Sequence, residues 1–148
     1  GADIIFGCHA HLPKGVEVYK GKVIFHGMHE IACRGSWFAP GSQPESKYPQ
    51  STEWDWTRYG RLLKERFGDV PKDITQYAMI AKVAVTDGHI ARVVYHPCFF
   101  DQELHPELLS RDDPRAQTVF DYYQKISRSQ GLDTHFSWDG DEIVIHID

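Results

Sequence analysis

Two histidines separated by one residue, His9 and His11, are the part of this sequence best suited to chemistry. A neutral imidazole is the commonest protein ligand for transition metals, so such a pair could hold a divalent ion at metal–nitrogen distances of about 2.0–2.1 Å. On a straight strand the two side chains would point to opposite faces. In a turn they can converge, and Gly7 and Ala10 are small enough to let the backbone bend. Spacing alone favours ordinary loop histidines, because His-x-His is short and common by chance. A second cluster follows at His26, His29 and Glu30. Histidine and glutamate can exchange a proton near neutral pH when their surroundings shift them, so His29 and Glu30 are candidate acid–base groups and His26 a candidate substrate contact. The plain alternative is a polar loop facing solvent. Cys8 is a further candidate for touching substrate or cation as a thiolate, although a small buried thiol is the commoner outcome.

These residues need elements to position them. Asp3 to Phe6 is a continuous apolar run bounded by glycine, which predicts a short strand buried on both faces. Its C-terminal end carries the His9/His11 turn, and ligands of open α/β sheets bind at such ends. Val16–Tyr19 and Lys22–Phe25 flank Lys20-Gly21 and predict a hairpin whose second strand leads into His26. Residues 34–54, rich in Gly, Ser, Pro and Gln, predict a long surface loop. It carries Trp37, Phe38 and Trp54, with Trp56 just beyond, which would either anchor the loop on the core or form an aromatic lid.

A helix is expected over 55–67, where Tyr59, Leu62, Leu63 and Phe67 make an apolar stripe that Gly68 ends. Met79–Thr86 and His89–His96 around Asp87-Gly88 give the strongest hairpin signal. Asp113 as N-cap and Pro114 behind it open a second helix that ends near Gly131. Its apolar face is Ala116, Val119, Phe120, Tyr123 and Ile126. A third hairpin turns at Asp139-Gly140, with 143–147 as its return strand. Strand-rich order with two main helices predicts a mixed, layered α/β architecture.

Composition narrows the classes. The 148 residues make one domain, and 41% apolar with 25% charged residues excludes disordered and fibrous chains. With 16 Lys and Arg against 21 acidic residues and no basic run, no nucleic-acid partner is expected. No apolar stretch approaches the roughly 20 residues that span a membrane. The three cysteines, Cys8, Cys33 and Cys98, form no CxxC pair, which predicts reduced thiols and leans toward a cytosolic setting. The chain opens directly on a strand, as a piece of something longer would. An upstream signal or anchor would then make the protein membrane-associated or extracytoplasmic.

The run from Gly1-Ala2-Asp3 through Gly7-Cys8-His9-Ala10-His11, with Gly15-Val16-Glu17-Val18-Tyr19-Lys20-Gly21-Lys22-Val23-Ile24-Phe25, resembles the CapA family. These are poly-γ-glutamate capsule biosynthesis proteins, relatives of calcineurin-like metallophosphoesterases. The 79–88 hairpin, Pro106-Glu107-Leu108-Leu109 and the Asp113-Pro114-Arg115 helix start are similar to segments further along that family. The likeness covers most of the chain apart from about 34–76. It implies the C-terminal part of a metallophosphoesterase-like sandwich spanning 1–148, with the N-terminal half absent.

His9 and His11 match the two histidines of the family's last metal motif, which implies a site for two divalent ions, Mn, Fe or Zn. The remaining ligands would come from the absent half, so this chain alone is expected to bind metal poorly and to be inactive. Cys8 stands where the family usually has another histidine. The family's Ser-Leu-Gly-Asn-Phe is replaced by Gly27-Met28-His29-Glu30-Ile31. The implied activity is metal-dependent hydrolysis of phosphoester-like bonds on a small or polymeric substrate. An amide-forming or amide-cleaving enzyme on the same fold is a second reading, and a non-catalytic scaffold in surface-polymer synthesis a third.

Overall fold

The computed structural model describes residues 1–8, 13–29, 76–100 and 105–148. The expected loop over 34–54, the expected helix over 55–67, and His9, His11, Glu30 and Cys33 lie outside the described residues. The described part is mixed α/β, with two sheets, mostly strands, and one helix.

The smaller sheet holds β1 (Ile4–Phe6), β2 (Val16–Tyr19) and β3 (Lys22–Phe25) in the order β1-β3-β2. The β2–β3 hairpin forms as its turn residues require, with Lys20 at φ 52° and Gly21 at φ 71°, the paired positive values of a type I′ turn. β1 joins β3 in parallel, pairing Ile4 with Val23, Ile5 with Ile24 and Phe6 with Phe25. The expectation that β1 is buried on both faces is corrected here. Ile5 and Phe6 are 46% and 54% exposed. Among the described residues β1 lies at the sheet's edge, and of its three residues only Ile4 packs into the main core. Phe6 stacks flat on buried Phe25, with ring centroids 5.4 Å apart, and its other face stays open.

The larger sheet contains β4 (Tyr77–Thr86), β5 (His89–Phe100), β6 (Pro106–Leu108), β7 (Phe136–Asp139) and β8 (Glu142–Ile145). Its order is β4-β5-β8-β7, with β6 pairing the far end of β5. The expected Asp87-Gly88 turn is present at φ 50° and 76°, and both strands run longer than their patterns suggest. Pro97 is tolerated inside β5 because its carbonyl accepts from Leu109 N on the β6 side. Its missing N–H therefore faces the junction between the β8 and β6 pairings. The last hairpin turns one residue later than expected, at Gly140-Asp141, with Asp139 paired to Glu142. Of the two turn residues only Gly140 has positive φ, the glycine-first arrangement of a type II′ turn. Asp139 stays in the ladder, where its carboxylate accepts from Arg92 at 2.6 Å.

Helix α1 (Pro114–Ser129) starts as its cap predicts: the Asp113 side chain accepts from Arg115 N at 2.8 Å, and Pro114 follows. Ala116, Val119 and Tyr123 bury themselves against β5 and the smaller sheet, so both sheets and the helix share one core. The outer edge of β2 is tied to the helix side. Val16 N donates to Ser127 Oγ at 3.1 Å, and Thr134 Oγ1 donates to Val16 O at 2.7 Å. Two buried side chains thus complete the backbone pairing that a fourth strand would otherwise supply. Among the described residues no helix is long and apolar enough to cross a membrane.

Candidate functional site

The two segments singled out from sequence begin side by side. Parallel pairing of β1 with β3 sends both strands out at the same end of the small sheet, so Gly7-Cys8 and His26-Gly27 emerge as neighbours. The pairing persists past the strands: Gly7 N donates to Phe25 O at 2.6 Å, and Met28 N donates to Gly7 O at 3.3 Å. A side chain at position 7 would not fit, because a Cβ there would lie 2.6 Å from His26 O and 2.7 Å from Phe25 O. On the other flank, His26 N donates to Gly15 O at 3.2 Å and Lys14 N to Gly27 O at 2.9 Å, while Pro13 bridges to Met28. Cys8 and Pro13, the described residues nearest His9 and His11 in the chain, therefore stand on either side of the 26–28 segment.

His26 is exposed at this end, and its Nε2 lies 3.0 Å from Glu17 Oε2. Sequence reasoning passed over Glu17. The hairpin register carries the missing signal, since Glu17 pairs with Ile24 and so shares a sheet face with His26 two residues on. On that face Lys22 donates to Asp3 at 2.6 Å. The ammonium's hydrogen bond and charge hold the Asp3 carboxyl below the usual carboxylate range.

His29 turns inward. Its backbone sits at φ 66°, in the left-handed region that non-glycine residues seldom occupy. The side chain is half-buried, with Nε2 buried and its ring 5.9 Å from that of Phe100 at the end of β5. His29 thereby meets a second small apolar cluster of Ala78, Cys98 and Phe100. Cys8 is exposed, whereas Cys98 is fully buried, and burial pushes its thiol up to about 11. Cys8 and His26 thus emerge at one end of the small sheet, whereas His29 packs inward against Phe100; His9, His11 and Glu30 lie outside the described residues.

The other histidines lie elsewhere. His146 Nε2 is 2.8 Å from Ser137 Oγ, and His135 Nε2 is 3.6 Å from Asp133. Both line an open groove of about 830 Å³ with Lys20 and Gly21, beside the β2–β3 turn and so at the opposite end of the small sheet. Among the described residues no group of three or more His, Cys, Asp or Glu side chains could hold a metal ion. The described residues therefore do not make a metal centre by themselves. No family model matches this chain, and no curated protein matches it.

Proposed function

We propose that the protein is a metal-dependent hydrolase of phosphoester-like bonds, of the CapA type and linked to poly-γ-glutamate capsule synthesis. The observation that supports this best is the parallel β1/β3 pair. It brings the Gly7-Cys8 lead into His9 and His11 together with His26 at the C-terminal ends of two strands, where α/β proteins bind ligands. In this reading His9 and His11 hold a divalent transition metal. The metallophosphoesterase-like sandwich and the two-ion site belong to the same proposal. His26, exposed just past the end of β3, serves substrate contact and proton transfer. Cys8 borders substrate, and His29 and Glu30 supply the second acid–base position.

The full-length protein tests this with bis(p-nitrophenyl) phosphate and Mn²⁺. Turnover that needs the metal and is lost in His9→Ala and His11→Ala fits the proposal. Absence of turnover, or turnover indifferent to both substitutions, refutes it.

One observation favours the non-catalytic alternative, a scaffold in surface-polymer synthesis. β1 exposes Ile5 and Phe6 at the sheet's edge, and an exposed apolar edge strand is a template for pairing with another chain. Inactive wild-type protein that nevertheless forms a complex through this edge would select that reading.

A further inference from the structure

We infer that Glu17 is a positioning residue for His26, fixing the imidazole as its Nε2–H tautomer and leaving Nδ1 as the nitrogen that takes up and releases protons at the site. The inference rests on the hydrolase reading above.

The geometry is specific. His26 Nε2 and Glu17 Oε2 are 3.0 Å apart, reached across the β2–β3 register from neighbouring positions on one sheet face. An ionised carboxylate only accepts, so the nitrogen facing it must carry the proton, and in the neutral ring the other nitrogen is then the lone-pair nitrogen. Among the described residues the neighbouring cation on this face, Lys22, is engaged by Asp3 at 2.6 Å, while Glu17 faces His26. On the opposite flank the residue level with His26 is Gly7, which has no side chain. The ring is therefore held from β2, and its level neighbour on the β1 flank brings no side chain against it.

Stability does not account for the pair. The His26 and Glu17 side chains keep 45% and 30% of their surface exposed, and ion pairs this accessible add little to folding. A carboxylate that sets the tautomer and orientation of an imidazole is instead a recurrent arrangement wherever histidine moves protons or binds metal.

Full-length wild-type, Glu17→Ala and Glu17→Asp proteins test the inference with bis(p-nitrophenyl) phosphate and Mn²⁺, alongside long-range ¹H–¹⁵N NMR of the His26 ring. The expected result is a kcat lower by about 10–100-fold in Glu17→Ala, partly restored in Glu17→Asp. KM should stay within about two-fold, because the group acts on the chemical step rather than on ground-state binding. In the spectra, wild-type His26 should be a single Nε2–H tautomer and the Glu17→Ala ring a mixture. Thermal unfolding of the variants should match wild type, which separates positioning from folding. An active wild type whose turnover ignores Glu17→Ala, or an Nδ1–H tautomer in wild type, overturns the inference and leaves the hydrolase reading standing. A wild type with no metal-dependent turnover removes both.

Discussion

Gly7 lies so close to His26 that the hydrogen in place of its side chain is what allows the two backbones to pass. A Cβ at position 7 would sit 2.6 Å from the His26 carbonyl oxygen and 2.7 Å from that of Phe25. Both obstacles are backbone, which cannot swing aside as a side chain can. Gly7→Ala should therefore push β1 away from β3, lowering stability by about 1–3 kcal/mol. It should also reduce activity more than its loss of folded protein explains. Urea unfolding and turnover per folded molecule, measured together, check this.

Ser127→Ala removes a buried hydroxyl and with it the acceptor for Val16 N–H. Val16 is itself buried, so water cannot take the hydroxyl's place. A loss of about 1–3 kcal/mol is expected, the range for an orphaned buried donor. Chemical denaturation should show a lower midpoint with an unchanged slope. An unchanged midpoint would mean that the β2 edge is not held by helix α1.

Tyr95 and Tyr123 are fully buried with ring centroids 5.2 Å apart, and neither hydroxyl has a hydrogen-bond partner among the described residues. Replacing either by phenylalanine should leave stability unchanged or raise it, by on the order of 1 kcal/mol. Burial, with smaller contributions from Asp121 at Tyr95 and from Tyr95 at Tyr123, pushes both phenols well above their ordinary 10.0. The unfolded chain ionises first, so stability is lost as pH rises past about 10 and toward the folded values. Tyr95→Phe and Tyr123→Phe should each move the alkaline unfolding midpoint upward.

Cys8 and Cys98 should separate cleanly by reactivity. In a Cys33→Ser background, native protein near pH 8 should release one equivalent of thiol to a disulfide reagent quickly, from exposed Cys8. Cys98 is buried and its thiol is raised to about 11, so it should react only on unfolding. Peptide mapping of the labelled protein identifies the site, and fast labelling of Cys98 would contradict the placement of β4 and β5 around it.

Local signals carried much of the fold. Lys20-Gly21 and Asp87-Gly88 named their own turns because φ above zero is a demand on two adjacent residues, met by few side chains. Asp113-Pro114 named the helix start for the same kind of reason, since cap and first turn lie within three residues. The third hairpin slipped by one residue because glycine had to take the first turn position while Asp139 was kept in register by Arg92, a residue on another strand. The depth at which β1 sits was not legible either. A run such as Ile4-Ile5-Phe6 suits a covered strand and an edge strand equally, and only the partners on each side distinguish them.

The candidate site divides along the same line. The sequence by itself determined that Cys8, His26 and His29 stand just after short strands, because periodicity and turn residues place strand ends to within a residue or two. It could not say that Gly7-Cys8 emerges beside His26-Gly27. That follows from the parallel pairing of β1 with β3, a contact between segments with no turn to announce it, held by core packing of Ile4, Val23 and Phe25. The partnership of Glu17 with His26 depends on one further step, the face on which the register leaves each side chain. Elements are written locally because backbone preferences act over a few residues. Neighbours are decided by burial, which sums over the whole chain.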